Sequence, residues 1–167
     1  TWSSKKLAKS RLYLDRMKKF LPSLEHAALD LESGIEILDG AGLKSEVKEI
    51  IQVARHHKMA VSSGHISIGE SLVLVDECTK QGVTFFLAHP LSGSVKASLD
   101  QQKEIVKRGG YVEHCFITAM PMHQRLDLRL IRESIEAVEP SHTILTTDAI
   151  QTWNPPPPEL MRMYIAS

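Results

Sequence analysis

The stretch MAVSSGHISIGESLVLVDECTKQGVTFFLAHP, residues 59–90, reads as strand, loop, helix and strand. Residues 59–63 and 83–87 are short runs of strand length, and the second is apolar enough for a strand covered on both faces. Between them, Ser67 and Glu70 match the S-x-x-E capping box that opens a helix. That helix carries Leu72, Val75 and Cys78 on one face and stops near Gly82. Each strand runs out into a histidine, Gly64-His65 after the first and His89-Pro90 after the second. Parallel strands joined by a crossover helix, with reactive side chains at the strand C-termini, are the repeating unit of a β/α barrel.

The same unit continues in both directions. Downstream, Ser98 and Gln101 form a second capping box, and the short helix they open ends at Gly109-Gly110. Residues 111–116 read as a strand holding Glu113 and His114. A loop with Pro121 follows, then a helix with Leu128, Ile131, Ile135 and Val138 at helical spacing. Pro140 closes that helix, residues 143–147 form the last strand, and Asp148 follows it. Four prolines, Pro155 to Pro158, then lead into a helix over residues 159–165, since proline suits the first helical positions. Upstream, residues 5–31 are rich in helix formers, with Pro22 as a kink, and residues 35–38 read as a short strand. Asp39, Gly40 and Gly42 make a turn, and the next helix buries Leu43, Val47, Ile50, Ile51 and Ala54.

Strand and helix alternate throughout, which predicts a parallel sheet of five strands with right-handed crossovers. The fold class expected is α/β, a partial (β/α)8 TIM barrel. At 167 residues the chain is shorter than the roughly 250 of a complete barrel. Residues 1–167 are therefore expected to be a single domain, the C-terminal portion of a barrel whose N-terminal strands lie outside this chain. A start at Thr1 and an end at Ser167, within the first turns of a helix, agree with that expectation.

Composition narrows the partners. Lys and Arg number 20, Asp and Glu number 20, and no basic run offers a face for phosphates, so nucleic acid is not an expected partner. The apolar runs fall short of the roughly 18 residues of a membrane span. Cys78 and Cys115 show no C-x-x-C spacing and read as ordinary thiols, which suits a reducing cytoplasm. No glycine-rich phosphate loop is present. A small-molecule substrate is the expected partner, and if the chain stands alone its open sheet edges make a homo-oligomer an expectation too.

His65 and His89 stand one strand–helix unit apart, so a barrel places them on neighbouring strand ends facing one mouth. Neutral imidazoles bind zinc, and a carboxylate such as Asp148 can complete or bridge such a site. Asp148 is also placed to orient a water and take its proton. Glu113 and His114 are adjacent, so a regular strand points them to opposite faces. Either contacts substrate or makes a helix-facing hydrogen bond, and both readings stay open. Ser62 and Ser63 lack the G-x-S-x-G context of a nucleophile. His56-His57 suits a helix C-terminus, and His26, His123 and His142 carry no spacing signal.

Taken together, Gly64-His65-Ile66-Ser67 with Glu70, Ala88-His89-Pro90, Glu113-His114, and Thr147-Asp148 with Gln151 and Asn154-Pro155-Pro156-Pro157 resemble the motifs of the amidohydrolase superfamily. More narrowly they resemble an uncharacterised amidohydrolase-like family. The resemblance covers most of the chain and implies metal-dependent hydrolysis on a barrel. By it, His65 and His89 match the strand-five and strand-six histidines, and Asp148 matches the strand-eight aspartate. One or two divalent ions, zinc foremost, are implied as cofactor. Two family features have no counterpart: the H-x-H of the first strand, and a lysine at the end of the 35–38 strand. The substrate class does not carry over. The rival expectations are a metal-free lyase or isomerase using Glu113, His114 and Asp148, and a barrel that binds without catalysing.

Overall fold

The computed structural model describes residues 34–121 and 123–167. The expected helical stretch over residues 5–31 lies outside them. In chain order the elements are β1 (Leu38–Asp39), β2 (Gly42–Leu43), α1 (Ser45–His56), β3 (Val61–Ser62), α2 (Ile68–Lys80), β4 (Phe85–Ala88), α3 (Leu99–Lys107), β5 (Tyr111–Cys115), α4 (Leu128–Val138), β6 (Thr143–Thr146) and α5 (Pro157–Ala166). Strands β3, β4, β5 and β6 form one parallel sheet in that order. The protein is thus a mixed α/β fold in which a four-stranded parallel sheet alternates with helices.

Local chemistry sets the element boundaries. Ser67 Oγ accepts from the Glu70 N–H at 3.3 Å, and Glu70 returns a bond to the Ser67 N–H at 2.8 Å, so both halves of the first capping box form. Ser98 and Gln101 do the same for α3. Gly82 stops α2 with φ +69, a conformation that costs other residues a steric clash. At the start of α5 the prolines occupy positions whose N–H groups would be unsatisfied anyway.

One expected strand is placed differently. Residues 35–38 were predicted to join the parallel sheet, whereas Leu38–Asp39 pairs antiparallel with Gly42–Leu43 in a tight hairpin. Gly40, at φ +60, lets the chain reverse there. Four strands rather than five therefore make up the parallel sheet among the described residues. Ile50, expected in the buried stripe of α1, is instead 61% exposed, because Ile51 and Ala54 carry the face turned to the core.

Register divides the sheet into two unlike faces. Leu87 pairs with Val112, so Phe85, Leu87, Val112 and His114 share a face, and all are at most 2% exposed. Phe85 and Leu87 pack there with Leu74, Val75 and Cys78 of α2 and Ile105 of α3. The opposite face carries Ser62, Phe86, Tyr111, Glu113, Ile144 and Thr146, none of them buried, and, at its C-terminal end, Ala88 and Cys115, which are buried. The expectation that residues 83–87 are covered on both faces thus holds on one face, since Phe86 is half-buried. A second cluster of Phe116, Ile131, Leu160 and Tyr164 brings α4 and α5 together, with the Phe116 and Tyr164 rings stacked at 4.7 Å. No helix among the described residues is long and apolar enough to cross a membrane.

Gly110 precedes β5 where the chain passes close to α3. A Cβ there would meet Ile105 Cγ2 at 2.8 Å, the Ile105 carbonyl oxygen at 3.1 Å and Phe85 Cδ1 at 3.1 Å. Backbone and a fully buried ring cannot both yield. Gly110→Ala is expected to cost about 1–3 kcal/mol, read as a lowered urea midpoint with an unchanged slope.

Candidate functional site

The C-terminal ends of the parallel strands turn sharply. Gly64 has φ +53, His89 φ +33 and Asp148 φ +49. Left-handed backbone is unfavourable for a histidine, and strain of this kind gathers where side-chain placement matters. Each turn follows a strand end, β3, β4 and β6 respectively, and so brings its side chain to the same end of the sheet.

There the His65 and His89 rings stack, with centroids 4.7 Å apart and planes inclined by 28°. His89 is 8% exposed. Burial, then the neighbouring His65 and His123, press its pKa down to about 4, so its imidazole is neutral at physiological pH. Its Nδ1 lies 3.2 Å from Ser92 Oγ, which lies 2.7 Å from Ser94 Oγ. Asp148 is exposed by the standard of the whole residue, yet burial of its carboxyl raises its pKa, with His65 and His123 acting the other way. Glu113 is likewise raised, by burial first, with a Thr146 hydrogen bond opposing and the charge of Asp148 adding. Two carboxylates with raised proton affinity thus stand near the neutral imidazole of His89, a setting suited to acid and base chemistry.

Thr146 ties the floor of this cluster together. Its Oγ1 lies 3.3 Å from Cys115 Sγ, and the Thr118 hydroxyl donates to the Cys115 carbonyl at 2.8 Å. Burial pushes the Cys115 thiol up to about 12, and the Cys78 thiol up to about 11. Both cysteines are free and buried, and neither is a thiolate nucleophile at neutral pH.

The structure therefore brings together four of the five residues singled out in the sequence: His65, His89, Asp148 and Glu113. It separates His114 from them. His114 lies on the helix-facing side of β5, 2% exposed, with Nε2 unpartnered, and burial presses its pKa down to about 4. That place does not reach the strand-end cluster, which sits on the side of Glu113. His123 is the residue the sequence reading passed over. It follows a short 3-10 turn (Phe116–Ala119) in the loop after β5, and its charge is felt by both His89 and Asp148. Loop residues have no periodicity, so only the fold reveals that placement. Ser92 was passed over for the same reason.

Imidazole nitrogens and a carboxylate are donors that zinc takes. As they stand, no group of three or more His, Cys, Asp and Glu side chains among the described residues is spaced to hold a metal ion.

Fold and cluster together define an α/β protein with ionisable side chains gathered at the C-terminal ends of a parallel sheet. Residues 1–113 match the family of unknown function DUF6282, and the chain belongs to that family. No curated protein and no solved structure matches it.

Proposed function

We propose that this chain is the C-terminal part of a (β/α)8 barrel of the amidohydrolase type, and that the complete protein is a metal-dependent hydrolase. The observation that supports it most is the convergence of His65, His89 and Asp148 at one end of a parallel sheet. The half-open sheet face, with Phe86, Tyr111 and Ile144 only half-buried, supports the barrel, because further strands would enclose that face. In this reading His65, His89 and Asp148 hold one or two divalent ions, zinc by donor preference, and the remaining donors come from outside the described residues. A bound ion would supply Lewis acidity and lower the pKa of water.

The chain's own groups do the rest. Asp148 orients the attacking water and takes its proton. Glu113 contacts the substrate from the floor of the mouth, its carboxyl held by Thr146. His89 stays neutral, so it offers a lone pair rather than a repelling charge. The substrate is a small molecule with an amide, lactone, ester or phosphoester bond. The free buried thiols support a cytoplasmic setting. Were the chain to stand alone, its edge strands β3 and β6 would support pairing with a second copy.

A second reading is favoured by the raised proton affinity of Glu113 and Asp148, whose charges act on each other. It is a metal-free lyase or isomerase working by acid and base catalysis at those carboxylates. Turnover of a panel of esters, lactones, amides and phosphoesters separates the two. The hydrolase is expected to lose activity to a chelator and regain it with zinc. Turnover indifferent to chelator, or ligand binding without turnover, would contradict it. His65→Ala is expected to cut bound metal several-fold, and unchanged occupancy would remove His65 from the site.

A further inference from the structure

Ser92 lies in the loop after β4 and is 4% exposed. Its N–H donates to the His89 carbonyl at 2.9 Å, and its own carbonyl accepts from the N–H groups of Val95 and Lys96. Val95 and Ala97 are buried, and the Gly93 N–H donates to Gln124 Oε1 at 2.8 Å, which pins the loop to the segment holding His123. The hydroxyl is therefore held in place beside the ring by the loop's own bonds.

A hydroxyl can donate or accept, so the 3.2 Å contact between Ser92 Oγ and His89 Nδ1 leaves the tautomer open by itself. Ser94 bears on it. Its Oγ lies 2.7 Å from Ser92 Oγ, closer than His89 Nδ1 does, and can accept the Ser92 proton. The bonds then run in one direction, from Nδ1–H to Ser92 to Ser94.

We propose that Ser92, backed by Ser94, is a positioning residue that holds His89 in its Nδ1–H tautomer and fixes the ring plane, leaving Nε2 as the lone-pair atom. Histidines at metal sites and general bases are set in this way, the bond made by one nitrogen deciding what the other can do. The consequence for catalysis rests on the function proposed above, whereas the tautomer is a property of the resting protein.

Long-range 1H–15N spectra of the whole protein, taken above the histidine titration range, read the tautomer directly. His89 is expected as the Nδ1–H form. Ser92→Ala is expected to move it toward the Nε2–H form that unconstrained histidines prefer, and Ser92→Thr to keep it. Ser94→Ala, at a half-buried position, is expected to give the same shift in smaller measure and serves if Ser92→Ala fails to fold. Zinc titrated into the protein is expected to bind roughly 10–100-fold more weakly to Ser92→Ala. An Nε2–H form in the wild type, or a tautomer unmoved in both alanine variants, would overturn the inference. An Nδ1–H form that responds to these variants, in a protein that binds no zinc, would support it and count against the metal reading alone.

Discussion

Asp148→Asn is expected to lower kcat/KM by about 10²–10⁴-fold, the usual worth of a positioned general base. Asparagine keeps the shape of the side chain and tolerates the left-handed backbone that residue 148 adopts, so the turn after β6 survives. What is lost is the proton acceptor. Because burial raises the Asp148 carboxyl, the wild-type rate is expected to fall off on the acid side at a higher pH than an ordinary carboxylate would dictate. The base acts deprotonated, so activity disappears as pH drops through that raised value. The variant should lose this limb together with its rate. A loss under about tenfold, with the limb still present, would take Asp148 out of the role of base.

The second large effect concerns stability, through His114. Folded, its imidazole is buried beside the helices with Nε2 unpartnered and its pKa near 4, against an ordinary 6.5. A pKa unit is worth about 1.4 kcal/mol. The unfolded chain thus binds a proton that the folded chain refuses between these two values. Stability is expected to be undiminished above pH 6.5 and to fall as pH drops toward 4, by about 3 kcal/mol in all and about 2 kcal/mol at about pH 5. His89, held down by burial in the same way, adds to the slope. His114→Leu fills a similar volume without an ionisable group. Urea unfolding at neutral pH and at about pH 5 should show the variant losing clearly less stability than the wild type across that interval. Equal losses would mean that water or a partner group relieves the His114 imidazole in the folded protein.

Much of the architecture was legible because it rests on local chemistry. The capping boxes at Ser67 and Ser98 announce where α2 and α3 begin, and Gly82 and Gly109 announce where they end. The strand ends were legible for the same reason, since His65, His89 and Asp148 stand where apolar runs stop. The errors came from information that is not local. Residues 35–38 have the composition of a sheet strand, but the turn at Gly40 folds the neighbouring Leu38–Asp39 onto Gly42–Leu43 instead. Ile50 fits a helical stripe, yet the tertiary arrangement chooses Ile51 and Ala54 for the core. Alternation told that Glu113 and His114 face opposite ways and could not tell which way. That needed the pairing of Val112 with Leu87, which sets His114 on the side of the helices. His123 and Ser92 belong to loops, where spacing carries no signal and only the fold brings the side chain to the cluster.

His65, His89 and Asp148 are proposed to form a metal-binding site at the mouth of a barrel. Elemental mass spectrometry on the complete protein, purified without chelator, decides the matter. Zinc, or another divalent transition metal, is expected at one or two ions per chain, falling sharply in His65→Ala and His89→Ala. A wild-type protein without bound metal even after incubation with excess zinc would contradict it and leave the carboxylates Glu113 and Asp148 as the chemistry of a metal-free site.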